Sequence, residues 1–504
     1  MSLSPRTKLL TLAPVDNRKG ERVKDFYLLK ALVVLLFCVA TGIVASAQTL
    51  TTIADFTFSH GVDPYEPLVE GVNGNLFGTT VAGGGFNYCR LDGRPYGCGA
   101  VFEVTTGGTL TTVHRFDNTD GAIPGGLGQA TNGSLYGTTF YGGAHSDGTV
   151  FQISSTGKLT TLYNFCSQTN CTDGAYPTSR LVLGANGNFY GVTYGGGANQ
   201  FGSVFEITPS GVLTTLYSFC SQTNCTDGSR PGVLGLGSSG NFYGVTASGG
   251  ANTGGTVFEI TPAGKLSTIY SFCSQTNCRD GEQPTALVQA VDGMLYGTTY
   301  QGGANSRGTF FKITPNGGLQ TLYSFCAQTS CADGSAPNGL MQATDGNFYG
   351  TTSDGGLSGN WGTLFEISSS GTLTTLHQFC SQSNCADGGE PAGLMQATDG
   401  NLYGTTGDGG SWNSGSVYSL SVGLGPFVET LPGFGSAGQI VGILGSNLKG
   451  TTGVSFNGTP ATSFTVISET VVKAIIPKGA TTGMVEVSTP SGTLSSNVPF
   501  RILR

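Results

Sequence analysis

GLMQATDGNFYGTTSDGGLSGNWGTLFEISSSGTLTTLHQF, residues 339–379, is the stretch whose reading decides the fold. It holds four short runs, GLMQAT, NFYGTT, TLFEIS and LTTLHQF. Turn pairs such as Asp345-Gly346 separate them, which is the pattern of short antiparallel strands joined by hairpins. The stretch also recurs. Its aromatic-Gly dipeptide stands at Phe77-Gly78, Tyr136-Gly137, Tyr190-Gly191, Tyr243-Gly244, Tyr296-Gly297, Tyr349-Gly350 and Tyr403-Gly404, at spacings of 59, 54, 53, 53, 53 and 54 residues. A period of this size signals a solenoid or a propeller, and four strands per unit is the content of a propeller blade.

The ends of the array choose between the two. The seventh unit stops after Ser416–Leu420 without its LTTLYSF run, and LTTIADFTF opens the array at residues 50–58. Assigning that orphan to the last unit gives seven complete sets of four strands. A ring closed by strand exchange leaves no open sheet edge, whereas a solenoid needs capping units. The expectation is an all-β chain, a seven-bladed β-propeller over residues 48–422 closed by its N-terminal strand.

Composition agrees. Of 504 residues 83 are Gly, 20 are Pro and only 10% are charged. Interior Gly is costly in helices, and an apolar fraction of 38% is too high for a disordered chain of modest net charge. Seven cations precede the apolar run 31–44 and the small-residue site Ala45-Ser46-Ala47, the layout of an export signal over residues 1–47. The run is short for a bilayer span. No membrane insertion is expected after cleavage, and the long stretch before the run allows a start codon further downstream. Removing the leader's seven positive and three negative charges takes the net charge from −8 to −12. That acidity speaks against nucleic acid as a partner.

Twelve of the thirteen cysteines follow the leader. Ten form five Cys-x4-Cys pairs: Cys166 with Cys171, Cys220 with Cys225, Cys273 with Cys278, Cys326 with Cys331, and Cys380 with Cys385. Cys89 and Cys98 complete the set. An even count in an exported chain reads as disulfides, here local ones. Zinc is the rival, but the four histidines do not accompany the pairs.

The pattern GNLYGTT…GG…GTVFEIT…G.LTTLYSF…DG..P resembles the GloVer tandem repeats of bacterial surface and secreted proteins, across residues 49–421. That resemblance implies location more than activity. After Gly425 the period stops. Residues 426–504 read as a small β-sandwich, and GILGSNL (442–448), VSFNG (454–458) and Ile476-Pro477 resemble the Ig-like IPT/TIG domain, which implies a stalk or spacer.

Strand parity puts the A–B and C–D turns, both tight, on one face. The B–C loops and the D–A connections with their cysteines lie on the other, where length varies and binding is expected. Trp361 and Trp412, the chain's two tryptophans, fall in the B–C loops of units six and seven. The enlarged loop of unit one, next in the ring, holds Phe86, Tyr88, Arg90, Arg94 and Tyr96 around its cysteine pair. Aromatics with arginine suit a sugar face or a protein hot spot, and loop packing is the plain alternative. Asp120, Asp173, Asp227, Asp280, Asp333 and Asp387 each precede a Gly, with a Pro soon after. They read as turn residues, or as a carboxylate ring able to attract Ca²⁺, the one cofactor considered. No catalytic motif stands out: His114 and His377 replace a repeat tyrosine, and no G-x-S-x-G, P-loop or H-E-x-x-H is present. The reading is a monomeric, exported or cell-surface binding or scaffold protein for a glycan or surface protein. A carbohydrate-active lyase or glycosidase using the same face, and a purely structural surface component, are the alternatives.

Overall fold

The computed structural model describes residues 49–85, 89–91, 94–154 and 157–503, without the side chains of residues 90, 91, 94 and 95. The expected leader lies outside the described residues. The chain is all-β, 49% strand and 3% helix, and no helix of the described residues is long and apolar enough to cross a membrane.

Seven antiparallel sheets of four or five strands succeed one another along residues 50–420 of the described chain, with one two-stranded ribbon, Arg90–Leu91 and Arg94–Pro95, beside the first. The fourth is representative: Ser229–Leu236, Phe242–Ser248, Thr256–Ile260 and Leu266–Ser271 lie side by side in chain order. Its second and third strands are buried on both faces and its last is half-buried, so the middle strands read as continuous apolar runs. The aromatic-Gly marker now has a cause. A Cβ at Gly244 would stand 2.4 Å from the Phe258 ring of the adjacent strand, and one at Gly350 2.5 Å from Phe365. Glycine leaves the room into which the third-strand phenylalanine lies.

The seventh sheet consists of Gly389–Gln396, Leu402–Asp408, Ser416–Leu420 and, as its fourth strand, Leu50–Asp55. Leu50 pairs with Leu420 and Asp55 with Ser416, antiparallel, across a bulge at Thr52/Ala54. The two ends of the array therefore share a sheet.

Successive sheets are joined by one repeated contact. A buried phenylalanine just after the outer strand of one sheet meets, edge to face or tilted, the third-strand aromatic of the next: Phe116–Phe151, Phe165–Phe205, Phe219–Phe258, Phe272–Phe311, Phe325–Phe365 and Phe379–Tyr418, at 5.1–5.3 Å. Phe56, after the N-terminal strand, meets Phe102 of the first sheet at 4.8 Å in the same way. Each joint sits in its own apolar cluster, and the cluster around Phe56 unites Leu68, Leu76 and Val104 with Tyr403 and Val417. Such aromatic pairs contribute about 0.5–1.5 kcal/mol beyond their buried area.

Residues 428–502 form a second layer structure. One sheet orders Val428–Leu431, Ile440–Gly445, Val471–Ile475 and Ser463–Val466, and the other orders Thr459–Pro460, Gly453–Phe456, Val485–Thr489 and Gly492–Ser495. Val441, Ile443, Phe456, Val472, Val487 and Phe500 fill a common core. This segment docks on the tight A–B turns. Thr470 Oγ1 donates to the Val72 carbonyl at 2.8 Å, the Phe427 N–H donates to the Thr398 carbonyl at 3.1 Å, and the Arg501 guanidinium lies over Gly240. A crevice of about 500 Å³ remains between Val72–Asn73 and Thr131–Asn132 on one side and Ile467–Val471 on the other. The face called structural in the sequence thus carries the C-terminal segment.

Candidate functional site on the loop-rich face

The opposite face is built from the Asp-Gly segments and the B–C loops. All six expected disulfides are present, each closing within its own loop. Cys89 bonds Cys98, Cys166 bonds Cys171, and Cys220 bonds Cys225. Cys273 bonds Cys278, Cys326 bonds Cys331, and Cys380 bonds Cys385.

To the five local Cys-x4-Cys disulfides that the sequence places in the D–A connections the structure adds a backbone role. Cys171, Cys225, Cys278, Cys331 and Cys385 each end a single 3₁₀ turn with a left-handed backbone, φ between 50 and 53°. That conformation turns the cysteine carbonyl inward, where it takes two N–H groups at 2.9 Å. The Cys225 carbonyl accepts from Gly228 and Gly250, that of Cys278 from Gly281 and Gly303. The Cys331 carbonyl accepts from Gly334 and Gly356, that of Cys385 from Gly388 and Gly410. One donor in each pair belongs to the Asp-Gly turn and the other to the Gly-Gly segment of the B–C loop. The second cysteine therefore ties the two loops of a unit together through its backbone as well as closing its own loop through sulfur.

Two residues after each Cys-x4-Cys pair the aspartate works as an anchor. Asp227, fully buried, accepts hydrogen bonds from Tyr217 Oη (2.8 Å), the Ser221 N–H (2.9 Å), Ser221 Oγ (3.0 Å) and the Gln222 N–H (3.3 Å). Asp173 and Asp280 repeat this arrangement, Asp333 does so without the hydroxyl, since Ala327 takes the serine's place, and Asp387 keeps the serine, Ser381. His377 stands in for the tyrosine, with Nε2 3.0 Å from Asp387, and His114 does so with Asp120 at 2.7 Å. Burial pushes the Asp387 carboxyl up, but Ser381, two backbone N–H groups and His377 outweigh it and hold it below the usual range. These carboxylates, which the sequence reads as turn residues or as a ring able to attract Ca²⁺, here anchor their loops by accepting from internal donors. Asp147 comes close to Cys166 and Cys171, but both sulfurs are in a disulfide and offer no thiolate.

After each Asp-Gly turn, or its counterpart in unit one, the residue immediately before the proline takes a left-handed backbone: Asp63, Ile123, Tyr176, Arg230, Gln283, Ala336 and Glu390, all with φ between 50 and 59°. Left-handed geometry is disfavoured for every one of these side chains and most for the β-branched Ile123. Two neighbours impose it. The proline ring seats on a glycine of the preceding unit, such as Pro231 on Gly202 and Pro64 on Gly415, where a Cβ would approach the ring within 2.6–2.7 Å. The N–H of the left-handed residue donates to the preceding loop, as from Arg230 to the Phe201 carbonyl and from Glu390 to the Trp361 carbonyl, both at 2.9 Å. Asp63 closes the series onto Ser414 at 3.3 Å. One backbone geometry thus presents seven different side chains, and nothing in the one-dimensional repeat marked the position.

The irregular sector at units six, seven and one separates its candidates. Trp412 is 67% exposed. Trp361 is partly buried, with its ring against Gly389 and the core of sheets six and seven, so packing accounts for it. Phe86 and Tyr88 lie outside the described residues, as do the side chains of Arg90 and Arg94. Tyr96 donates through Oη to Asp63 at 2.5 Å. Tyr65, exposed, donates to Glu390 at 2.9 Å and lies on Gly407. Burial, with Glu390 nearby, pushes the Asp63 carboxyl up against the Tyr96 hydrogen bond, and burial with Asp63 pushes Asp408 up. The tyrosines Tyr65 and Tyr96 are raised by burial and by these acids. This tyrosine–carboxylate cluster escaped the sequence because its members come from units one and seven, more than 300 residues apart.

The Gloeobacter/Verrucomicrobia repeat matches twice, over residues 88–279 and 273–459. The chain belongs to this family. No curated protein matches the sequence. Among solved structures, the extracellular domain assigned to a hybrid two-component system of B. thetaiotaomicron is similar at TM-score 0.50 and 10% identity, over 88% of this chain and 52% of that one. The extracellular domain assigned to a one-component system of the same organism gives 0.48 and 11%, over 91% and 58%. A gluconolactonase of Xanthomonas campestris gives 0.37 and 11%, over 76% and 93%. The repeat protein spans little more than half the length of the first two, and at such identity the likeness is one of fold alone.

Proposed function

We propose that this chain is an exported, monomeric seven-bladed β-propeller whose IPT/TIG-like C-terminal domain serves as a spacer. It acts at or beyond the cell surface as a binding or scaffold module, reading a glycan or a surface protein with its loop-rich face. One observation carries the reading: the C-terminal segment covers the tight turns, while the opposite face holds the seven left-handed positions and the exposed Trp412. Six disulfides support the location.

The test is a glycan and matrix-polymer array on residues 48–504, with and without calcium, run beside Trp412→Ala. Binding that falls tenfold or more in the variant, at unchanged melting temperature, supports the reading. An array without a single binder refutes the glycan half of the reading. A second reading, a polysaccharide-cleaving enzyme, is favoured by the raised Asp63 and Asp408 carboxyls beside Tyr65. Turnover on the same polymers would select it over binding alone.

A further inference from the structure

Away from that sector, two of the left-handed positions carry Tyr176 and Arg230, and their surroundings form a second surface. Phe140 stacks on Tyr176 at 5.3 Å and 24° between planes, and Tyr141 meets Tyr176 edge-on at 5.5 Å. Tyr194 continues the row, 6.4 Å from Phe140. The Arg230 guanidinium lies over the Tyr194 ring at 5.4 Å. Tyr141 and Tyr194 are 41% and 37% exposed, and Arg230 is exposed. The rings come from units two and three and the cation from unit four, so the shelf crosses two sheet joints.

Two features make this more than scattered surface aromatics. Towards the end of the second strand the repeat carries an aromatic in some units and a small residue in others: Phe140, Tyr194 and Tyr300, but Ala247, Ser353 and Gly407. Only at units two to four does an aromatic there coincide with an aromatic or cationic left-handed residue in the next unit; Tyr300 is followed by Ala336. Arg230 also makes no ion pair among the described residues, in a chain of net charge −8. An unpaired guanidinium over a tyrosine ring leaves its N–H donors to a planar carboxylate. Tyrosine faces stack on the apolar face of pyranose rings; the Tyr176 hydroxyl is engaged by Asp147, so Tyr176 offers its ring, and Tyr141 and Tyr194 offer ring and hydroxyl.

We infer that Phe140, Tyr141, Tyr176, Tyr194 and Arg230 form a subsite for an acidic polysaccharide, with a uronate carboxylate on Arg230 and neighbouring sugar rings on the tyrosines. The site narrows the proposed function to one class of glycan and rests on that reading for its biological sense, but it uses residues distinct from Trp412.

Calorimetric titration of residues 48–504 with oligogalacturonate, its methyl ester and a cello-oligosaccharide tests it. The free acid binds, and the ester, which keeps the rings and loses the charge, binds about tenfold more weakly. Arg230→Gln brings the acid down to the level of the ester and leaves the ester unchanged, while Tyr194→Ala weakens both. Equal affinity for acid and ester, or acid binding that survives both substitutions, overturns the subsite. Oligogalacturonate binding lost in Trp412→Ala and retained in the shelf variants places the ligand at the other sector, which sinks the shelf and keeps the proposed function. Failure to bind oligogalacturonate while the array yields other glycans sinks the shelf alone, and failure of both sinks the shelf together with the glycan half of that reading.

Discussion

Removing the Phe56 ring tests whether the N-terminal strand is structurally equal to the outer strands of the other sheets. Phe56 is fully buried, contacts Phe102 edge to face at 4.8 Å, and lies among Leu68, Leu76, Val104, Tyr403 and Val417. Phe→Ala at such a site costs about 3–5 kcal/mol, from lost transfer energy and the cavity left behind. Phe219 occupies the same place between the third and fourth sheets, equally buried, against Phe258 at 5.2 Å. Phe56→Ala and Phe219→Ala should therefore lower stability by similar amounts, within about 1 kcal/mol of one another. Thr51→Ala, exposed on the same strand, should stay within about 0.5 kcal/mol of the parent. Urea midpoints compared at constant slope give these differences. A Phe219→Ala variant with the full loss beside a Phe56→Ala variant with less than about 1 kcal/mol would mean that the N-terminal strand is not docked in solution.

Two further outcomes follow from buried polar groups. Tyr418 takes the place held by phenylalanine at the other six joints, and its fully buried hydroxyl has no partner. Tyr418→Phe should raise stability by about 1–2 kcal/mol, read as a higher urea midpoint, and a fall would show that the hydroxyl is satisfied. Glu70 is buried and pushed up to about 7 by burial, although the Thr398 N–H and Oγ1 both donate to it at 2.7 Å; burial likewise lifts Glu66 to about 7, against the pull of Arg180. A carboxyl raised in the folded state holds a proton that the unfolded chain has released, so its contribution is complete below about 4.5 and disappears as pH rises through about 7. Glu70→Gln should shrink the drop in urea midpoint between pH 5 and pH 8, and an unchanged or larger drop would contradict the assignment.

The fold was legible in the sequence because its determinants are local and repeated. The aromatic-Gly dipeptide, the Asp-Gly turns and the phenylalanine after each outer strand recur with the period, and the orphan LTTIADF at the start pairs with the truncated last unit. The cysteine pairing was legible for the same reason. The backbone role of Cys225 and its counterparts was not, because the glycine that donates to it from the B–C loop lies 25 residues downstream, at Gly250. The site itself stayed hidden because what distinguishes it is lateral. Glu390 and Tyr65 meet only when the last unit stands beside the first, and the left-handed position is set by a glycine one unit away. For Trp361 the sequence left binding and loop packing both open, because the space its ring fills is the one left beside Gly389, in the next unit. The anchoring role of the aspartates was not legible, because the tyrosine or histidine each meets lies six or ten residues upstream, on the preceding strand.

None of the six disulfides links one unit to another; each spans five or nine residues. The covalent reinforcement therefore travels with the repeat. Unequal recombination between two copies of the repeat can exchange or shuffle whole units without stranding an unpaired sulfur. Each exchanged unit brings its own residue at the left-handed position and drops it into a seat whose backbone is already dictated by the neighbours. Specificity in such a lineage can change in single modular steps, at the level of gene rearrangement, while oxidative folding proceeds as before.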